Sequence, residues 1–169
     1  MKTILDLAEK SLVLERNHYL KVAGSIDTQI YFIEEGSLKI YVLNDGCEHI
    51  IRFGYRGDLV VSLDSFLTQK ASEFYIQAIK KTTIKVISKN SFDAFIKSND
   101  QNKDWWISIL ENLVVQQIER EKDLLIISPV ERYQRVLARS PQLFQEIPNR
   151  YIANYLRMSA ETLSRLKKS

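Results

Sequence analysis

The sequence predicts an α+β chain in three parts: an antiparallel β-roll or jelly roll over residues 1–99, one long helix over 100–128, and a small helical domain over 129–169. Three observations carry this expectation. All five glycines (Gly24, Gly36, Gly46, Gly54, Gly57) lie between residues 24 and 57 of 169, with strand-like sequence between them, as the turns of an antiparallel roll require. All three prolines (Pro129, Pro141, Pro148) lie towards the other end, spaced like the first residues of successive short helices. Between the two groups, apolar residues recur at three and four with no breaker.

Within the roll, Gln29–Ile33 reads as a strand ending in a turn at Glu34-Glu35-Gly36. Ser37–Leu43 alternates polar and apolar, the period of a half-buried strand. Asn44-Asp45-Gly46 is a hairpin signal, because Asp-Gly supplies the positive φ angles of a tight turn, and Cys47–Phe53 is the returning strand. Further strands are expected at Leu59–Ser62, Phe74–Ile79 and Thr83–Ser88. A short helix is expected over Ser91–Lys97, capped by Asn90.

In the long helix, Trp106, Leu110, Leu113, Gln117, Arg120 and Leu124 form the expected seam, widened by Ile109, Val114, Ile118 and Leu125. Some 27 residues at 1.5 Å each make a rod of about 40 Å. A domain this small cannot cover such a rod, and the simplest cover is a second copy across a two-fold axis. The alternative is packing onto its own roll. Trp105-Trp106 is expected to anchor the helix start rather than to stack on a ligand.

After Ser128, helices are expected at Val130–Ser140, Pro141–Phe144, Pro148–Tyr155 and Ser159–Lys168. The last two are joined by Leu156-Arg157-Met158, the layout of a helix-turn-helix. Ile152, Leu156, Met158, Leu163 and Leu166 fall where the two helices would pack, and Ala153 is small where they cross. Ser159 is a good N-cap, with Glu161 and Thr162 in the first turn. Ala160, Glu161, Ser164, Arg165 and Lys168 are left facing outward. From Arg150 onward five cations face the single acid Glu161, a concentration that counter-ion release from DNA phosphates rewards. The other reading is a solvated basic tail.

Taken together, the glycine-punctuated roll, the long helix and the Ala160–Arg165 segment resemble Crp/Fnr-type bacterial transcription regulators. Tyr31-Phe32-Ile33-Glu34-Glu35-Gly36-Ser37-Leu38, Gly57-Asp58-Leu59 and Tyr151–Arg165 carry the resemblance, which covers almost the whole chain. It implies a cyclic-nucleotide-binding-like sensor roll, a dimerisation helix and a DNA-binding helix-turn-helix, with double-stranded DNA and a second copy of the chain as partners. Glu161 and Arg165 match the family's base-reading pair: Arg can bind guanine bidentately and Glu can accept from cytosine. Ser159 and Thr162 would bond phosphate.

The same resemblance places an effector pocket at Asp58, Leu59, Ser62, Leu63, Ser72, Glu73 and Phe74, with Val61, Phe66 and Ile76 as further apolar lining. Asp58 matches the family's ribose-binding acid. The family's cyclic-nucleotide sensors carry an Arg-Ser pair where this chain has Ala71-Ser72-Glu73. No Arg is there to neutralise a cyclic phosphate, Glu73 would repel one, and Lys70 is the nearest cation. The expected effector is therefore an unidentified small molecule other than cyclic AMP, or none. Three further departures stand out. Arg157 occupies the turn where glycine is usual, at a cost of about 1 kcal/mol if its φ is positive. The segment before the roll is abbreviated. The chain ends at Ser169, where many members continue into a β-hairpin wing. That last point motivates an alternative reading: a ligand-binding or dimerisation module with a vestigial or truncated DNA-binding end.

Composition narrows the remaining classes. Lys plus Arg (24) barely exceed Asp plus Glu (21), a net charge of +3, too small to announce a nucleic-acid binder. No apolar run approaches the ~20 residues of a membrane span, and Asp6 and Glu9 interrupt any signal-peptide core. A cytoplasmic protein without membrane partners is expected. Cys47 alone cannot form an internal disulfide. Cys47 and His49 share one strand face, a weak haem or metal signal set aside here, and no cofactor is expected. With only His18 and His49, a three-histidine cupin centre is ruled out, and no catalytic triad can be argued, so the chain is not expected to be an enzyme.

Overall fold

A computed structural model describes residues 4–168; Met1–Thr3 and Ser169, at the outer ends of the expected first and third parts, lie outside them. The chain divides into two compact units, Met1–Lys103 and Asp104–Ser169.

The first unit is a roll of two four-stranded antiparallel sheets, preceded by a 3-10 turn at Ile4–Leu7. One sheet contains β1 (Lys10–Leu14), β3 (Ile30–Glu35), β6 (Leu59–Val61) and β8 (Thr82–Ile87), in the order β1-β8-β3-β6. The other contains β2 (Tyr19–Lys21), β4 (Ser37–Asn44), β5 (Cys47–Tyr55) and β7 (Tyr75–Ala78), in the order β2-β7-β4-β5. Alternate residues of both sheets meet in one core: Tyr31, Ile33, Leu38, Ile40, Val60, Ile76, Ala78, Ile84 and Val86. The Asp45-Gly46 hairpin forms as expected, with φ of 51° and 76° and Asn44 opposite Cys47.

Two features of the roll differ from the sequence expectation. Gly54 sits inside β5 rather than in a turn, and a Cβ there would come within 2.5 Å of Val60 Cγ2, so close sheet packing requires it. β4 is buried on both faces rather than half-buried. Its outward Tyr41 stacks on Tyr75 with ring centroids 5.1 Å apart, and its outward Lys39 pairs with Glu48.

Three helices complete the unit or leave it. α1 (Leu63–Thr68) was not expected. α2 (Lys89–Lys97) begins two residues earlier than expected, because the Ser88 hydroxyl, not Asn90, caps it by accepting the Ser91 N–H at 3.2 Å. α3 (Asp100–Leu125) crosses from the first unit into the second.

In the second unit, α3 is followed by α4 (Pro129–Arg139), α5 (Pro141–Glu146), α6 (Asn149–Tyr155) and α7 (Ala160–Leu166). Each proline falls at or just before a helix start. Ser128 caps α4, whose Val136 is fully buried, and Tyr133 meets Phe144 of α5 edge to face at 5.5 Å. Among the described residues no helix is long and apolar enough to cross a membrane.

Candidate nucleic-acid interface and effector pocket

The α6–α7 pair is built around side chains with no exposed surface. Ile152, Leu156 and Leu163 are each 0% exposed, and Ala153 is buried at the crossing. Between the helices the backbone turns through Arg157 at φ 54°, a left-handed conformation that glycine adopts without cost. Met158 N–H then bonds the Ala153 carbonyl at 3.0 Å, and Ser159 starts α7 by accepting the Thr162 N–H at 3.1 Å. At the far end Lys167 Nζ donates to Asn149 Oδ1 at 2.8 Å, tying α7 back to the start of α6.

This frame leaves Ser159, Ala160, Glu161, Ser164, Arg165 and Lys168 exposed, with Thr162 half-buried. Glu161 and Arg165, four apart, lie on one face of α7. The Glu161 carboxyl is held below its ordinary range by N–H and hydroxyl donors of the helix start, with Arg165 adding a smaller attraction. Glu161 is therefore an acceptor at neutral pH, as pairing with a cytosine amino group would need. The Ser159 and Thr162 hydroxyls also bond each other at 3.1 Å, so part of their capacity is used within the helix.

The expected pocket residues do not all come together. Ser62 and Ser72, both buried, meet at 3.2 Å between their hydroxyls, and Ser62 also donates to Asp64 Oδ1 at 2.9 Å. Ser72 accepts the Phe74 N–H, and Phe74 leans on the core. Leu59 and Leu63 are half-buried, but Phe66 and Ile76 belong to the packed interior, Phe66 edge to face with Phe92. Glu73 is exposed. Asp58 turns inward on its own loop: its carboxylate accepts the Tyr55 N–H at 3.0 Å, and burial raises its pKa.

The cation of this region is one that sequence reasoning passed over. Lys21 is only 4% exposed, and its ammonium donates to the carbonyls of Phe74 at 2.9 Å, Val22 at 3.2 Å and Ser72 at 3.4 Å. Burial lowers its pKa, and Asp64 and Asp27 work in the opposite direction. Lys70, the expected nearest cation, is exposed. Asp27 accepts from the Tyr31 hydroxyl at 2.9 Å, and its N–H donates to Ser65 Oγ. The region is thus a closed polar cluster whose donors and acceptors largely serve one another. A cavity of about 390 Å³ lies elsewhere in the first unit, bounded by Leu7, Ser91, Phe95, Ser98 and Asn102. Among the described residues no three His, Cys, Asp or Glu side chains gather as a metal cluster would.

The most exposed apolar residues of the long helix include Val114, Ile118 and Leu125 from the margin of the expected stripe, joined by Ile107. Trp106, Leu110 and Leu113 are half-buried and Gln117 is exposed. Ile107, Val114, Ile118 and Leu125, at intervals of seven, four and seven, are between 47% and 81% exposed, and Leu124 is 41% exposed. Arg120 leaves the expected seam altogether. A guanidinium in an apolar seam would be costly; instead it is buried in the second unit, 3.7 Å over the Tyr155 ring and bonded to the Tyr155 carbonyl.

Residues 11–99 match the cyclic nucleotide-binding domain. No curated protein matches the sequence. The fold is similar to that of a double mutant of CooA from Carboxydothermus hydrogenoformans, at 15% identity and a TM-score of 0.75, covering 98% of this chain and 77% of that one. FixK2 from Bradyrhizobium japonicum is similar at 16% identity and a TM-score of 0.78, covering 94% of this chain and 82% of that one. The Catabolite Activator Protein of Thermus thermophilus is similar at 18% identity and a TM-score of 0.60, covering 97% and 78%.

Proposed function

The chain belongs to the cyclic nucleotide-binding domain family, and from that premise we propose that it is a dimeric, Crp/Fnr-like DNA-binding transcription regulator acting in the cytoplasm, not an enzyme. α6 and α7 are its helix-turn-helix, and α7 is the recognition helix. The exposed Glu161–Arg165 face on a tightly packed helix pair is the observation that carries this reading. Ala160, Ser164 and the Arg165 guanidinium face base edges. Ser159, Thr162 and Lys168 hold the phosphate backbone and fix the register.

The partner of α3 is a second copy of the chain, seated on the stripe of Ile107, Val114, Ile118 and Leu125. Two recognition helices on that two-fold axis enter successive major grooves about 34 Å apart and read an inverted repeat. In the roll, Asp58, Leu59, Ser62, Leu63, Ser72, Glu73 and Phe74 border the effector region, with the effector a small molecule other than cyclic AMP. Lys21 supports that exclusion. The cation nearest Ser72 is already engaged by three carbonyls, and Glu73 adds a negative charge where a phosphate would enter. Any effector acts by binding one arrangement of the paired helices better than the other.

Selection from random duplex DNA at low salt tests the reading. Enrichment of a palindrome with half-sites one helical turn apart is expected, and recovery of no enriched sequence would sink it.

A further inference from the structure

The only fully buried side chains of α3 among the described residues are a cation and an anion, Arg120 and Asp123. No apolar residue of this helix is fully buried, and Ile127, in the short link to α4, is 94% exposed. The most deeply buried side chains that α3 brings to the second unit are therefore charged.

Asp123 is 0% exposed. Its Oδ1 accepts from Arg135 Nε at 2.8 Å and from Arg139 Nη1 at 3.1 Å, while Oδ2 accepts from Arg139 Nη2. Glu119, one turn earlier on α3, accepts from Arg135 Nη2. Two acids four apart on α3 thus interlock with two arginines four apart on α4. A second pair of arginines completes the joint. Arg120 reaches the Tyr155 carbonyl at the end of α6, and Arg132 of α4 donates to the Ile126 carbonyl at 2.8 Å and to the Arg157 carbonyl at 3.3 Å. Forked guanidinium contacts are directional in a way that apolar packing is not, so they specify an angle as well as a distance.

We propose that the Asp123 carboxylate is a positioning residue for DNA recognition, locking the angle between α3 and the α6–α7 pair and so setting the half-site spacing the dimer accepts. The spacing role rests on the DNA-binding reading above; the lock itself does not. If the recognition helices are carried on two rods with a fixed joint, only one separation of half-sites fits. With the joint released, each helix still reads its half-site, but several separations fit equally well.

The test uses the full chain. Nitroxides at Gln116 and Ser164 in a Cys47→Ser background, diluted with unlabelled protein, report the distance from α3 to α7 by pulsed electron resonance without DNA. Asp123→Asn and Arg139→Gln are each expected to broaden that distribution about twofold, with helix content by circular dichroism and dimer mass by light scattering unchanged. Distributions as narrow as wild type in both variants would overturn the lock. Should Asp123→Asn lose helix content, Arg139→Gln, which leaves the Arg135 pair in place, decides the matter.

On DNA, unlabelled wild type should lose about tenfold in affinity for each base pair inserted or deleted at the dyad of its selected operator. Asp123→Asn should lose less than about threefold while binding an isolated half-site as wild type does. Wild-type spacing discrimination in a variant with a broadened joint would overturn the positioning role. Failure of wild type to select any operator would instead count against the DNA-binding reading, with the distance measurement still judging the lock.

Discussion

The polar groups of the roll and those of α7 are put to opposite uses. Around Ser62, Ser72 and Lys21, hydroxyls, an ammonium and backbone carbonyls are turned inward and bonded to one another. On α7, Glu161, Ser164, Arg165 and Lys168 are held out from a rigid apolar base with their heads exposed. Both arrangements follow from the same constraint, that a polar group removed from water needs a partner. In the roll the cluster closes on itself away from water, and on α7 the polar heads stay exposed to solvent. A closed cluster contributes to the stability of its own fold, and an open one can contribute to the binding of something else. Family membership alone would not have told these apart, since the same family includes rolls that bind nucleotides.

Three substitutions sharpen or break the contrast. Lys21→Met should have the largest effect on the fold, lowering stability in chemical denaturation by about 1–3 kcal/mol because carbonyls at Phe74, Val22 and Ser72 lose their donor. The pH response gives a second readout. The Lys21 pKa lies below its ordinary value in the fold. Between that lowered value and the unfolded one the unfolded chain binds more protons, so this group makes stability rise with pH there. Lys21→Met should remove that rise, and an unchanged stability would mean that the cluster is not closed by the ammonium.

Arg165→Ala should leave folding alone and cost about 1–3 kcal/mol in DNA affinity, relaxing preference at one base position. An equal loss on every sequence would reduce Arg165 to a phosphate contact. Arg157→Gly should have the smallest effect, raising stability by about 1 kcal/mol as the positive φ loses its penalty. No gain in the denaturation midpoint would mean that interactions of the Arg157 side chain offset the backbone strain.

What could be read in the sequence was what neighbouring residues decide. The Asp45-Gly46 turn, the Ser159 cap and the Arg157 turn each depend on a few adjacent positions, and each formed as expected. The order of strands from Ile30 to Ile87 followed from alternation between turns. β1 and β2 were missed because they are short edge strands with no clean period, and α1 because six residues hold too little helical pattern. Lys21 was invisible for a different reason. It looks like any solvated lysine until Ser72 and Phe74, about fifty positions away in sequence, are brought beside it. Arg120 was assigned to the α3 seam through the same kind of blindness. Spacing shows which residues share a helix face, but not that Arg120 and Asp123 are claimed by α4 and α6. Gly54 read as a turn because its real constraint, the Val60 methyl, comes from another strand.

The Lys21 clamp also says something about the order in which the molecule assembles. Two of its three acceptors, Ser72 and Phe74, lie just before β7 while the lysine sits at the end of β2 beside the third, Val22, so the clamp closes fully only once two strands far apart in the chain have already met. An interaction that arrives so late does little to hasten folding but must be undone before the sheet can open, and its loss belongs in the unfolding arm of a chevron plot. The ammonium works as a latch on the finished roll, and the lifetime of the folded state depends on it more than the speed of reaching that state.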